Sequence, residues 1–421
     1  TKLDGRTIAE IAHKNGKAVG TISTVEFSHA TPAGLGGAHN ISRNSYAEIA
    51  NEMLSASWLD VIMGAGNPDY DDNGAAKTSG KEYKYVGGQA TWESLKAGTH
   101  AAGWTLVETK DSFDTLAHPA AGATLPTKLL GVPQVATTLQ QARSGATADG
   151  APYTVALNTN VPDLSTMSLA ALNVLNQNPN GFFLHIEGGA PDWAAHAVQK
   201  GRLIEEQIDF TNAVEAVIAW VNANSSWDDT LLILTADHDC GMLMGADAAT
   251  VAYDSLDYNG AGVMPGMAFM SNNHTNQLVP VFAKGYGANL FANYVDGIDP
   301  VRGQYVDNTD IFKVMKAVVD PLPEVTGSED ALNVIIMISD GCGYNTFDAA
   351  SYYEYGALGQ QPYDGEGWVK LGCSTFMATP YFEGNNTVPS GSILERNEYD
   401  PGMAWSCTAA GYIYNNDTTG A

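Results

Sequence analysis

Positive charge is what this chain of 421 residues has least of: 20 Lys and Arg stand against 47 Asp and Glu, a formal net charge of −27. A surface of that sign cannot neutralise the phosphates of a nucleic acid, which excludes recognition through a basic face. It suits solubility at high salt, as in a marine or halophilic source. The acidity is spread along the chain without a long single-sign tail, the pattern of a solvated face. Cysteine is scarce too. Cys240, Cys342, Cys373 and Cys407 form no CxxC and no zinc-ribbon spacing, so no cysteine-built zinc module is expected. Two disulfides of undefined pairing remain open in an oxidising compartment, while Cys240 and Cys342 follow strands closely and read as small core residues. No run is long and apolar enough to span a membrane, so no membrane partner is expected. The first residues, Thr1-Lys2-Leu3-Asp4, lack the apolar core of a signal peptide, and an export leader would lie outside this sequence.

What the chain does have is a set of apolar strands that end in acids. The run FFLHI at 182–186 ends on Glu187, and Gly188-Gly189 follows. Asp192 and His196 come next at a four-residue spacing, which puts both side chains on one face of a helical turn. Carboxylates and imidazoles are ligands for Zn²⁺, and a further carboxylate suits Mg²⁺. Alone, this stretch is equally consistent with Glu187 capping a helix and His196 sitting on the surface. Two more strands tip the balance: 231–236 ends in Asp237-His238, and 333–339 ends in Asp340-Gly341. Buried-type strands carrying ligand residues at their carboxyl ends describe an open α/β sheet, which binds along that edge.

The remaining pattern agrees with one such domain. Helical spacing over 6–15 stops at Gly16, a strand follows at 18–23, and 29–34 reads as a loop. A helix reaching Leu54 leads to a strand at 59–63, the alternation of a mostly parallel sheet with helices on both faces. The acidic stretch 68–74 shares part of a calcium loop but lacks its later Glu, and reads as a surface turn. Residues 67–165 as a whole read as an insertion or loops. A helix starts at 169–175. The strongest helix spans 199–223, with Leu203, Ile204, Ile208, Val214, Val217, Ile218 and Val221 on one stripe and Glu205, Glu206 and Asp209 mostly off it. A strand at 279–283, a helix at 310–319, a Pro- and Gly-bearing linker at 321–330 and a small helix near 346–354 complete the pattern, before a loop-rich stretch to Ala421.

Together the stretches VIIMISDG, SHATPAG with a following SR, FFLHIEGGAPDWAAH, LLILTADH and HTNQLVPVFAKG resemble the alkaline phosphatase family over nearly the whole chain. The resemblance implies hydrolysis of phosphate monoesters at alkaline pH, releasing inorganic phosphate through a phosphoserine intermediate. It also implies two Zn²⁺ and one Mg²⁺, a homodimer, and a periplasmic or extracellular setting. By motif, Asp192, His196 and His274 resemble the ligands of one zinc, and Asp237 and His238 those of the second. Asp340 resembles the acid bridging towards the magnesium, whose other ligands resemble Thr31 and Glu187. Arg43 matches the arginine that clamps phosphate, and His29 with Trp193 resembles the pairing of the marine bacterial branch. Related phosphodiesterases and sulfatases often lack the pair matching Thr31 and Glu187.

The order of the motifs is rotated with respect to the family. The stretch that closes the family, here DNTDIFKVMKAV, runs through 321–330 into the stretch that opens it, so that 331–421 corresponds to the family's amino-terminal part within a single domain of 1–421. The family's nucleophilic serine sits in Asp-Ser-Ala, a tripeptide that does not occur in the 421 residues. Three readings stay open: a serine segment outside this sequence, a permuted chain, or an inactive homologue that binds metals and phosphate. Thr418, after Asp417, is the weak substitute nucleophile, and Ser406 reads as packing.

Overall fold

A computed structural model of the protein describes residues 6–145, 150–251, 253–320 and 332–375. The 321–330 linker, Ser406, Cys407 and Thr418 lie outside the described residues. The chain opens with helix α1 (Ile8–Lys14), started by a reciprocal cap in which Thr7 Oγ1 accepts the Glu10 N–H and Glu10 accepts the Thr7 N–H. Strand β1 (Ala18–Glu26) follows, three residues longer than its expected span and buried throughout. The stretch 29–34, expected as a loop, instead forms most of a short helix, α2 (Ala30–Leu35). Pro32 lies in its first turn, where no intrahelical N–H is required, so the residue that suggests a loop is compatible with a helix start. Helix α3 (Tyr46–Ser55) and strand β2 (Val61–Ala65) complete the first crossover.

Residues 67–165 contribute helices α4 (Gln89–Lys96) and α5 (Lys110–Ala117) and two three-residue strands, β3 (Thr105–Val107) and β4 (Leu129–Gly131), which form one edge of the sheet. The chain then runs through α6 (Leu164–Leu175), β5 (Phe182–Gly188), α7 (Ala190–His196), α8 (Lys200–Asn224) and β6 (Thr230–Thr235). Two small ladders follow, one joining β7 (Asp239–Cys240) to β10 (His274–Thr275) and one joining β8 (Leu243–Met244) to β9 (Ala268–Phe269). Next come β11 (Val279–Gly285), β12 (Gly297–Asp299), β13 (Gly303–Asp307) and α9 (Asn308–Val319). The last described elements are β14 (Asn333–Ser339), α10 (Tyr344–Tyr355) and β15 (Val369–Ser374).

Eleven strands make one sheet in the order β12-β13-β15-β11-β6-β14-β5-β1-β2-β4-β3. From β6 across to β3 every pairing is parallel, whereas β11 runs antiparallel to both β6 and β15. Helices α5, α6, α8 and α10 pack together, while α1 and α9 pack as a separate pair. Coverage on both faces explains why β5, β6 and β14 are buried at every position and read as continuous apolar runs rather than alternating ones. Each fully buried Phe or Leu in these strands contributes roughly 1.5–3 kcal/mol. Strand β14 follows nearly everything else in sequence but sits between β5 and β6, with Asn333 opposite both Phe182 and Thr230. Among the described residues no helix is long and apolar enough to cross a membrane. Cys240, Cys342 and Cys373 are buried and free, so no disulfide joins the described cysteines.

Candidate functional site

The parallel strands β1, β5, β6 and β14 deliver their carboxyl ends to one edge, and the ligand-type side chains gather there. The register sets Glu187 beside Ser23 on one side and Ile338 on the other, with Asp340 one residue beyond the pair Ser339 and Gly188. After β5, Gly188 and Gly189 turn the chain into α7, which has a proline in its first turn. Asp192 and His196 then point the same way: His196 Nε2 lies 3.4 Å from Asp192 Oδ2. His274 arrives from the β7–β10 ladder, its Nε2 3.3 Å from Asp192 Oδ1 and 3.1 Å from His196 Nε2. Two imidazole nitrogens at that separation cannot both carry protons towards one another. The other His196 nitrogen, Nδ1, lies 2.7 Å from the Asn272 carbonyl oxygen, to which it donates. That bond fixes the tautomer and leaves Nε2 with a lone pair directed at Asp192 and His274.

A second group adjoins the first. His238 Nε2 lies 3.2 Å from Asp237 Oδ2 and 3.5 Å from Asp340 Oδ1, and its ring stacks on His274 with centroids 3.5 Å apart. Asp192, His238 and Asp340 together present ligand atoms close enough to share one ion, as do Asp192, His196, His274 and Cys240. Asp192 belongs to both groups. Gly341 is required beside it, because at φ 73° a Cβ there would stand 2.7 Å from the Asp192 Cα. Behind them Glu187 is wholly buried, hydrogen-bonded by the Ser23 hydroxyl and by Thr31.

Burial dominates the electrostatics. It pushes the Glu187 carboxyl up to about 8, opposed by the Ser23 hydroxyl and reinforced by the charge on Asp237. It drives Asp340 well above the usual carboxylate range, with Asp237, Asp192 and Glu187 adding repulsion. It pulls His238 down, towards the neutral imidazole that a metal requires. Asp192 goes the other way. Burial would raise it, but the hydrogen bond from His274 holds its carboxyl below the ordinary range. Glu187 Oε1, Asp340 Oδ1 and His238 Nδ1 are buried without a hydrogen-bond partner. Unpartnered carboxylate oxygens crowded among imidazoles are a donor set for divalent cations, and hard oxygens beside nitrogens suit Mg²⁺ and Zn²⁺.

Arg43 approaches from the loop before α3, with Nη2 3.3 Å from His29 Nε2. His29 stands just before the first residue of α2 and meets Trp193 edge-on at 5.6 Å between ring centroids. Burial, helped by the Arg43 charge, lowers the His29 pKa to about 4. The imidazole is therefore neutral and accepts from the guanidinium. Every site residue expected from the sequence that lies within the described residues falls in this one region. Three others emerge only from the structure. Cys240, paired across the ladder with His274, brings its sulfur to the Asp192 group. Ser23 holds Glu187, and the Asn272 carbonyl orients His196. The run Asp237-His238-Asp239-Cys240 is a local signal for Cys240, whereas nothing near Asn272 in sequence foretells its contact.

A family model described as alkaline phosphatase matches residues 2–264 of the chain. Alkaline phosphatase H of Pseudomonas aeruginosa (strain UCBPP-PA14) is 31% identical over 260 residues, covering 55% of this chain and 51% of that protein. The alkaline phosphatase of Escherichia coli (strain K12) is 26% identical over 347 residues, covering 75% of this chain and 67% of the other. The solved structure of the alkaline phosphatase from the Antarctic bacterium TAB5 is 26% identical, covers 66% of this chain and 68% of that chain, and gives a TM-score of 0.46. The chain spans 51% and 43% of the length of the first two curated relatives it matches, alkaline phosphatase H and alkaline phosphatase 4 of Bacillus subtilis (strain 168).

Proposed function

The chain belongs to the alkaline phosphatase family, and from that premise we propose that it hydrolyses phosphate monoesters at alkaline pH and releases inorganic phosphate. The observation that carries this reading is the double group at the sheet edge, in which Asp192 is shared between His196 and His274 on one side and His238 and Asp340 on the other. Two adjoining groups of carboxylates and imidazoles fit a two-metal phosphoryl-transfer centre. Asp192, His196 and His274 would hold one zinc ion; Asp237, His238 and Asp340 the second; and Thr31, Glu187 and Asp340 a magnesium ion. When bound, such ions supply Lewis-acid stabilisation of phosphoryl oxygens and lower the pKa of water.

The protein's own residues do the rest by position. Arg43 offers a planar fork that matches two phosphate oxygens, and the neutral His29 steadies the guanidinium without competing for charge. His196 is held ready by Asn272, and Glu187 by Ser23 and Thr31. The phosphoserine route of the family places its nucleophile in Asp-Ser-Ala, which is not among the 421 residues; the route therefore calls for a serine segment outside this sequence, with Thr418 only a weak substitute. A periplasmic or extracellular setting and a homodimer accompany the reading through the family, and gel filtration tests the latter.

The deciding experiment measures hydrolysis of a mono-aryl and a bis-aryl phosphate with zinc and magnesium saturating, in the protein and in Arg43→Ala. Loss of a bidentate charged contact, about 1.5–3 kcal/mol, should weaken inhibition by inorganic phosphate roughly 10- to 100-fold. Preference for the bis-aryl ester, phosphate binding without turnover, or inhibition unchanged by Arg43→Ala would each overturn the proposal.

A further inference from the structure

Helix α8 carries three acids that the amphipathic pattern sets off the apolar stripe, yet Glu205 and Glu206 are buried and Asp209 is half-buried. The first is fully answered. Glu205 Oε2 accepts from Arg143 Nη2 at 2.5 Å and from Arg202 Nη1 at 3.4 Å, and its Oε1 accepts the Tyr153 N–H at 2.6 Å. Glu206 is not. It is 4% exposed, and its buried Oε1 has no hydrogen-bond partner. A buried carboxylate left so costs several kcal/mol unless something neutralises it.

Glu206 lines a cavity of about 320 Å³ between α8 and residues 139–140 and 153–163. Asp209, three residues on and so on the same helix face, lines it as well, as does Asp163 at the start of α6. The opposite character comes from Leu139, Leu157 and Val161, which supply aliphatic wall, and Leu157 is 42% exposed. Lys110 also lines the cavity, but among the described residues it makes no ion pair with these acids. The wall is built rather than slack. Arg143 donates to the backbone oxygens of Ala156, Gln140 and Val155 at 2.9–3.0 Å, and Asn158 donates to the Asp72 oxygen at 2.9 Å.

We propose that this cavity binds a primary alkylammonium ion, with the ammonium on Glu206 and Asp209 and the alkyl chain against Leu139, Leu157 and Val161. An ammonium group brings three donors and one charge to a site offering carboxylate acceptors. A bare divalent cation would want six or more oxygens close around it, and would leave the aliphatic wall facing water. Burial, with Asp209 and Glu205 adding repulsion and the Arg143 charge opposing, holds the Glu206 carboxyl well above its ordinary range, so a bound ammonium takes the place of the proton that the empty site holds.

The test is calorimetric titration of the full chain, with its metals, using n-butylammonium chloride near neutral pH at matched ionic strength. Saturable binding at one site per chain is expected, weakened about 10-fold or more in Glu206→Gln, the range for one charged hydrogen bond. Leu157→Ser should weaken binding too, without loss of fold. Failure of n-butylammonium to saturate, equal binding by n-butanol, preference for calcium chloride, or unchanged affinity in Glu206→Gln would each overturn the assignment. Loss of the phosphatase reading would leave it untouched, since no metal-site residue is involved.

Discussion

Replacing Glu26 by Gln probes how the fold responds to the alkaline conditions proposed for its activity. Glu26 ends β1, is 0% exposed, and has its carboxyl pushed by burial from 4.5 up to about 8. Between those two values the folded chain holds a proton that the unfolded chain releases, so stability falls as pH rises. The contribution is complete below pH 4.5 and is lost as pH rises through about 8. At about 1.4 kcal/mol per pH unit, the full span corresponds to roughly 5 kcal/mol, an order-of-magnitude ceiling. Glutamine has the shape of the protonated acid and never ionises. Glu26→Gln should therefore match the parent protein in urea unfolding near pH 5 and exceed it increasingly towards pH 9, with zinc and magnesium saturating throughout. Other buried acids impose their own slope on both proteins, and the difference between the two isolates this one. A difference that stays flat from pH 5 to 9 would refute the reasoning, because it would mean that Glu26 is charged and compensated in the folded state.

Three further outcomes follow from the packing and the donor set. Chelation of divalent ions should lower the melting temperature, and zinc with magnesium should restore it; at about a hundredfold excess over Kd a bound ion adds about 2.7 kcal/mol. An unchanged melting curve would argue that Glu187 and Asp340 are satisfied without metal. Arg143→Met should cost about 3–5 kcal/mol in urea unfolding, since it leaves Glu205 buried with a weaker partner set; a loss below about 1 kcal/mol would show that the buried pair contributes little. Gly181→Ala should abolish soluble expression or sharply lower the melting temperature, because at φ 75° its Cβ would fall 1.9 Å from the Leu332 oxygen, and near-normal melting would contradict that packing.

The strands that carry the site are legible in sequence because burial on both faces removes the polar half of their pattern, leaving unbroken apolar runs that end in Glu187, Asp237 and Asp340. The helical spacing of Asp192 and His196 foretells that their side chains meet, as they do at 3.4 Å, while their role needs the other acid-ended strands beside them. What escapes is whatever depends on distant partners. Glu205 looks like a solvent-facing residue until Arg143, 62 positions away, arrives to pair with it. Strands β3 and β4 are three residues each, too short to display a period, and only their pairing in the sheet defines them. Helix α2 escapes because Pro32 and Gly34 weigh against a helix locally, although a proline in the first turn breaks no hydrogen bond.

The central place of β14 also governs how the chain comes into being. During synthesis from the amino terminus, β5 and β6 emerge long before residues 333–339, and each waits with an unpaired edge of buried-type residues. Pairing those edges closes loops of more than a hundred residues, a slow step for a parallel sheet. The nascent chain therefore passes through a stage whose exposed strands invite association with other chains or with a holdase. Completion of the site waits on the same event, since Asp340 arrives on β14 and joins His238 only when that strand has docked. A late, central strand makes final assembly of the sheet and maturation of the site a single kinetic step.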